Sequence, residues 1–492
     1  MPGALPTVLT AEDRIAVCCT RGRGAGPADL LLLLLLVLLA GCASYEPAPL
    51  HPERSAAQFG ARHLQDPELR DRITAVLQQS PSEWPLPAWN RAQLLAAALV
   101  WNPRLAVVRA QVEAALAHEA TAGQTPNPEL TLQSEYARHD PHPWLYGLSL
   151  DLLLRTPGRR QLDVDLARLE TSGARWDLMD ASWAVRRALL AALSDHESAT
   201  RRLALLERLI ASEDRLIALE RRRVAAGEDA ADELLTAGRA RLELEQQQAQ
   251  ARSDAASATA ALAAAVGVVP SALDGVIVDW PDWGEPPAAD AGTSKQLRDQ
   301  ALRSRSDLSA ALDAYAAAEN KLHQAVLRQY PQFQLSPGYY WDHGVAKFPF
   351  DVGFALPLFN QSQGEIAEAR AAREVAAQRM LAVQAEIIGA IAAAERSERV
   401  AQESVDAAGR GLDTARRQRQ NAALSLRLGG IAASEDLAAE ILALRGELEV
   451  VQMRAQWQAA RNTLEDTLHA PLSGPELQLP NPLPVAVAGA AR

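Results

Sequence analysis

The chain has 492 residues, with 49 Lys and Arg against 61 Asp and Glu, for a formal charge of −12. That acidic balance argues against a general nucleic-acid role, which needs a basic footprint. Only 5% of residues are aromatic, while Ala, Leu, Arg, Glu and Gln crowd the middle of the chain, a composition suited to long helices rather than one thick core.

The N-terminus reads as a targeting segment, residues 1–41. Arg21 and Arg23 precede an apolar run from Leu30 to Leu39. This run is too short to span a bilayer as a helix but suits a signal-peptide core. It ends Leu39-Ala40-Gly41-Cys42, which resembles the lipobox of bacterial lipoproteins. That resemblance implies cleavage before Cys42 and a lipid on its sulfur. Ala43 follows where an inner-membrane retention signal would have Asp. Asp13 and Asp29 in the long preceding stretch point to a start downstream of Met1. The three cysteines (Cys18, Cys19, Cys42) all lie in the first 42 residues, so an internal disulfide or Cys-based metal site further on is excluded. After the leader we expect no stretch long and apolar enough to cross a membrane as a helix. Residues 42–90, with Pro and Trp, are expected to wrap the outside of the molecule.

The remainder repeats itself. WNPRLAVVRAQVEAA from Trp101 is similar to RSDLSAALDAYAAAE from Arg305, with Leu105 matching Leu308 at an offset of 203 (308 − 105). Pro128 and Pro331 (331 − 128 = 203), Gly227 and Gly430 (430 − 227 = 203), and Leu234 and Leu437 (437 − 234 = 203) hold the same offset. Two copies of one unit follow, residues 91–267 and 304–472, joined by a linker at 268–303 and ended by a Pro- and Ala-rich tail at 473–492. Each copy reads helix, strand, strand, long helix, turn, helix.

In the first copy a helix is predicted over Arg91–Ala122, stopped by TPNP. Strands are predicted at about 129–138 and 145–154. Leu130, Leu132 and Tyr136 share one face of the first; Tyr146, Leu148, Leu150 and Leu152 share one face of the second. The second copy places strands at about 332–341 and 348–356, with Phe348, Phe350, Val352, Phe354 and Leu356 on one side. Nine or ten alternating residues, greasy on one face and polar or small on the other, fit a transmembrane β-strand. Two ordinary hairpins over a soluble core would show the same alternation.

Helices are predicted over 161–226 and 364–428, each about 100 Å long at 1.5 Å per residue. Each returns through a shorter helix, 230–266 and 433–469. Leu203, Leu206, Ile210, Leu216 and Leu219 recur at coiled-coil-like spacing, so the hairpins must bury that stripe laterally. Four strands cannot close a barrel, and an open edge in lipid leaves backbone groups unpaired at several kcal/mol each. Closure therefore calls for several chains, and three would supply twelve strands.

PLFNQSQGEIAEARAARE, LGGIAASEDLAAE and TLEDTLHAPL resemble the TolC family of outer-membrane efflux ducts, in particular its cobalt–zinc–cadmium-type branch. The resemblance covers about residues 90–475. It implies a mainly α fold with a membrane β part. A homotrimer would form a twelve-stranded β-barrel in the outer membrane, continued by a periplasmic α-helical barrel. It also implies a periplasmic adaptor protein, an inner-membrane resistance–nodulation–division pump, and heavy-metal cations as substrate. The sequence holds no G-x-S-x-G, H-E-x-x-H or Gly-rich phosphate loop, and no cofactor beyond the Cys42 lipid is expected. His139, His142 and His343 fall in strand loops, where solvent-facing histidines are ordinary.

Functional weight falls on the two hairpin turns, AAGEDAADELL and LGGIAASEDLAAE. The resemblance makes them the periplasmic tips, with Gly227, Glu228, Gly430 and Ile431 at the adaptor-docking surface. Asp436, six positions after Gly430, resembles a gate carboxylate; Glu435, Asp232 and Glu233 accompany it. The same acids also suit a helix N-terminus through its dipole. The family's next gate position is Ala439 here, beside Glu440. Arg221, Arg222, Arg223, Arg416 and Arg417 read as solvated helix face or as interprotomer partners of the tip acids. Rival readings are the same duct serving organic drugs or type I protein secretion, and a periplasmic lipoprotein scaffold without a pore.

Overall fold

The computed structural model describes residues 45–155, 157–228, 230–286 and 295–479. The leader, Cys42 and the tail from residue 480 lie outside them. The chain divides into a unit ending at Ala57 and a unit from Gln58 onward. Helix α1 (Pro52–Gly60) starts in the first, where Ser55 Oγ donates to the Pro52 carbonyl at 2.9 Å.

In the second unit α2 (Pro67–Leu77) is capped by Asp66, whose carboxylate accepts the Glu68 N–H at 2.9 Å. β1 (Trp89–Asn90) pairs in parallel with β4 (Val278–Asp279), so the segment before the first copy meets the linker between copies. The helix expected over 91–122 is two helices, α3 (Arg91–Trp101) and α4 (Pro103–Ala122). The break is chemical. Pro103 forces Asn102 into an extended conformation, φ −62° and ψ 122°. Asn102 then caps α4 through the Arg104 N–H (3.0 Å) and donates to the Ala265 carbonyl (2.9 Å), so the kink is also a tertiary anchor.

β2 (Glu129–Tyr136) and β3 (Trp144–Leu154) form one hairpin; β5 (Phe333–Asp342), β6 (Val345–Lys347) and β7 (Phe350–Phe354) form the other. All pairings are antiparallel, and β3 pairs with β5, giving one sheet that runs from β2 to β6 and β7. The final strand, expected unbroken over 348–356, is interrupted at Phe348-Pro349 and ends at Phe354. Proline has no N–H for the ladder, yet the Pro349 carbonyl still accepts from Gly338 at 2.9 Å. The register continues across the gap: Tyr340 faces Lys347 and Pro337 faces Phe350.

The long helices are α5 (Arg159–Ala225, 67 residues) and α9 (Gln363–Arg427, 65 residues). They return through α6 (Ala231–Val266) and α10 (Ala433–Leu468). Two shorter helices, α7 (Lys295–Ser304) and α8 (Ser306–Leu327), precede the second hairpin. Each long helix has different neighbours along its length. On the strand side α4, α5, α8 and α9 pack in that order; on the turn side the order is α6, α5, α10, α9. The stripe on α5 buries Leu205, Leu206 and Leu209 against Leu244 and Ala251 of α6 and Ile441 and Leu444 of α10.

The largest core lies at the middle of the long helices. Leu94, Leu95 and Leu99 of α3, Leu189 and Leu193 of α5, Val266, Trp280 and Trp283 are buried together. Trp283 Nε1 donates to Ser194 Oγ at 3.1 Å, and the Arg201 guanidinium lies 4.8 Å above its ring.

One expectation is corrected here. An 18-residue window within α9 is apolar enough, by length and composition, to cross a membrane, and only 11% of it is buried in the chain. A search for unbroken apolar runs passes over it because isolated charges punctuate its Ala- and Ile-rich sequence.

Candidate functional site

The sheet largely sorts its side chains by face. Leu130 faces Leu150, Leu132 faces Leu148, and Tyr136 faces Trp144, where the rings meet edge to face with centroids 4.9 Å apart. The same face continues through Tyr146–Trp341, Leu148–Tyr339 and Leu152–Leu335. It ends in Phe333–Phe354 and Leu335–Val352. Many of these large apolar residues are exposed; Leu132 keeps 73% of its surface and Phe350 64%. Aromatic side chains flank the aliphatic centre at both ends of the strands. Apart from Ser134, opposite Tyr146, this face is apolar with aromatic borders, the pattern expected of strands that face lipid.

The opposite face is mostly polar or small, interrupted by Leu145, Leu153, Tyr340 and Val345. Gly147 leaves room there for the Tyr340 ring. One row carries charge across the sheet: Glu129 faces Asp151, and Ser336 faces Asp351. The row is knit by Ser336 Oγ, which donates to Asp151, and by Thr131 Oγ1, which reaches the other Asp151 oxygen at 3.3 Å. Beyond the hairpin loops, His343 Nδ1 lies 2.7 Å from the His142 carbonyl and 3.8 Å from Asp140. His139 is in the same β2–β3 loop. Among the described residues no group of three or more His, Cys, Asp and Glu is placed to hold a metal ion.

At the other end, both hairpin turns close in one way. The Gly227 N–H donates to the Val224 carbonyl and the Glu228 N–H to Arg223; the Gly429 N–H donates to Leu426 and the Gly430 N–H to Ser425. The left-handed residues are Gly227 (φ 76°) and Gly429 (φ 75°), as this helix-ending motif requires. The second turn therefore pivots on Gly429, and Gly430, expected at the equivalent of Gly227, occupies the place of Glu228. Ile431 follows half-buried.

The four tip acids differ. Glu435 is exposed and its Oε1 accepts the Ala432 N–H at 3.2 Å, a capping role at the start of α10. Asp232 is exposed in the first turn of α6. Glu233 lies in the same turn, and its side chain is outside those described. Asp436 is half-buried, and its Oδ1 is shielded from solvent with no hydrogen-bond partner among the described residues. Arg223 Nη1 donates to Ser434 Oγ at 2.9 Å, joining the two tips within one chain. Arg416 Nη2 also donates within the chain, to Glu447 at 3.2 Å.

Its partner belongs to a set that sequence reasoning missed. Glu440 accepts from Arg215 of α5 at 2.5 Å, from Ser212 at 3.0 Å and from Arg419 of α9 at 3.4 Å. Glu447 accepts from Arg208 of α5 at 3.1 Å and Arg416 of α9 at 3.2 Å. Each glutamate on α10 thus ties both long helices. Burial would raise the Glu440 pKa, but hydrogen bonds from Arg215 and Ser212 and the charges of Arg215 and Arg419 hold it below the ordinary carboxylate value. The signal was a shared heptad: 447 − 440 = 7 and 215 − 208 = 7.

Comparison with known proteins agrees with this geometry. Residues 94–268, which run from α3 to the end of α6, match the sequence profile described as outer membrane efflux protein. No curated protein sequence is significantly similar to the chain. Among solved structures, the outer membrane protein VceC from Vibrio cholerae superposes with a TM-score of 0.62 at 19% identity, covering 78% of this chain and 97% of VceC. CusC, described in terms of folding and transmembrane channel formation, gives 0.64 at 17% identity, over 77% of this chain and 91% of that one. The open-state outer membrane channel MtrE from Neisseria gonorrhoeae gives 0.61 at 15%, over 77% and 89%. At such identities the likeness establishes a shared fold, that of outer-membrane channels.

Proposed function

We propose that this chain is one protomer of an outer-membrane exit duct in a tripartite efflux system. The observation that carries the reading is the sheet of β2, β3, β5 and the interrupted β6–β7 strand, with an apolar, aromatic-bordered outer face and two unpaired edges. In lipid those edges must be paired, and one chain cannot pair them. Three protomers supply twelve strands, and the long helices then continue the same wall away from the membrane for about 100 Å at 1.5 Å per residue. The uncovered apolar window of α9 becomes a protomer–protomer surface in this assembly. The fold likeness to MtrE and VceC supports the same arrangement.

The chain's own residues imply passive conduction. The polar sheet face, with Glu129, Asp151 and Asp351, lines the membrane section, and the hairpin tips narrow the far end. Asp436 carries an unmatched carboxylate oxygen at such a tip, and three copies around an axis form an acidic constriction. Gly227, Glu228, Gly430 and Ile431 present the surface on which an adaptor docks. The pump that supplies energy is a separate protein, of the resistance–nodulation–division type in this reading. Heavy-metal cations are the proposed cargo, resting on the branch resemblance, with organic drugs or a type I secreted protein as the alternative. Cys42 carries the lipid anchor in the outer membrane; mass spectrometry of the mature N-terminus tests that part directly.

The experiment for the whole reading is planar-bilayer conductance of detergent-purified protein, with its mass from light scattering. A trimer with discrete cation-selective steps supports the duct. A monomer without conductance favours the scaffold and removes the membrane assignment of the strands.

A further inference from the structure

The contacts between α5 and α10 change character along their length. Midway, Arg186 is buried: Nε donates to Glu476 at 2.8 Å and Nη2 to Glu465 at 2.5 Å. Arg186, Glu465 and Glu476 are 2%, 1% and 1% exposed. The guanidinium also lies 5.2 Å over the Trp183 ring, which stacks on His469. Glu476 belongs to the short turn Pro475–Gln478 that follows α10, so the chain comes back after the helix to insert a carboxylate between helices. Glu465 secures the return by accepting the Leu472 N–H at 2.9 Å. Arg91 donates to the Ser473 carbonyl at 3.2 Å, and Gly474 (φ 81°) has no room for a Cβ beside that guanidinium. Three separate parts of the sequence thus close on one buried charge.

Toward the turns the same two helices meet through Arg208–Glu447, Arg445–Glu213, Arg215–Glu440 and Arg223–Ser434. The arginine side chains of the three ion pairs are more than half exposed. Their glutamate partners are 22%, 19% and, for Glu213, 4% exposed, so these pairs are open to water on the arginine side only. Such a pair separates more readily than a triad buried on every side, whose charges would be stranded in a desolvated site.

We propose that the Arg186–Glu465–Glu476 centre, locked by the returning turn after α10, is the fixed pivot about which the α9–α10 hairpin swings on the α5–α6 hairpin. This rests on the duct reading for its purpose, a tip that opens while the middle of the wall stays sealed, but the pivot itself is a property of the helices. Arg186 and Glu476 act as positioning residues, and the returning turn is a clamp rather than a loose end.

The test uses spin-label distances in full-length protein in detergent, diluted with unlabelled chains. One pair of labels reports the middle (Ala191→Cys with Thr463→Cys), the other the tips (Arg222→Cys with Ala433→Cys). In the Arg215→Ala/Arg419→Ala background, which leaves the core untouched, the tip distribution should broaden toward longer distances while the middle stays as narrow as before. In Glu476→Gln, which keeps the shape and removes the charge, the middle distribution should broaden as well. Equal broadening at both places in the first background, or an unchanged middle in the second, overturns the pivot. Conductance of the same variants tests the duct separately: absent channels with the expected distances would remove the duct and leave the pivot standing.

Discussion

Tyr340 occupies the space that a side chain at Gly147 would need; a Cβ built on Gly147 overlaps the tyrosine ring and approaches the Tyr339 carbonyl to 2.8 Å. The two residues are cross-strand partners on the polar face. Gly147→Ala should therefore displace Tyr340 or part β3 from β5, at about 1–3 kcal/mol, the usual range for overpacking. Thermal unfolding in detergent measures it. Adding Tyr340→Ala to Gly147→Ala should recover part of the loss, and no recovery would mean that the backbone contact dominates.

The charged row on the same face leads to a selectivity prediction. Asp151→Asn with Asp351→Asn removes two carboxylates per protomer from the polar sheet face while keeping the shape of the side chains. Cation-over-anion selectivity, read from reversal potentials across a salt gradient, should fall. Selectivity unmoved by the pair would place the controlling charges elsewhere.

At the tips, Asp436→Ala should raise the conductance of the purified channel, because it removes a constricting carboxylate. Glu435→Ala should matter less, since Glu435 already serves the Ala432 N–H. Unchanged conductance and selectivity in Asp436→Ala would sink the gate assignment.

Removing one partner of the buried triad should be costly. Arg186→Met strands Glu465 and Glu476, and a loss of about 3–5 kcal/mol is the usual scale for a broken buried pair. Denaturant midpoints compare it with Arg208→Ala, whose exposed pair with Glu447 is worth about 0–1 kcal/mol.

His469 supplies a pH dependence with a definite sign. Burial, then the charge of Arg305, lowers its pKa to about 4. The unfolded chain takes up this proton near pH 6.5 and the folded one does not. The stabilisation is thus complete above about pH 6.5 and is lost between there and about pH 4, roughly 3 kcal/mol in all. His469 sits at φ 48°, where asparagine is well tolerated among residues that carry a side chain, so His469→Asn is the chosen substitution. The stability difference between wild type and this variant should shrink as pH falls through that window; a flat difference would contradict the neutral buried imidazole.

The strands, both long helices and their returns could be read from the sequence because each has a local cause. Alternation set the faces of β2, β3 and β5, and freedom from proline set the reach of α5 and α9. The local errors were also proline effects: Pro103 splits α3 from α4, and Pro349 interrupts the last strand. What escaped was tertiary. The heptad spacing shared by Glu440 and Glu447 with Arg215 and Arg208 hints at one pairing, but nothing local announces that each glutamate also takes an arginine from α9, or that Glu476 turns back to Arg186. The second tip shows the intermediate case, where two adjacent glycines were visible but only hydrogen bonding decides that Gly429 takes the left-handed position.

The exposed apolar window of α9 and the uncovered sheet face bear on how such a chain is made. A lone protomer in water would show both surfaces at once, and the duct reading matches each to a different surrounding: one to lipid, one to another copy of the chain. Either surface alone invites aggregation. On that reading insertion and assembly would have to proceed together, since either surface left waiting would be exposed to water.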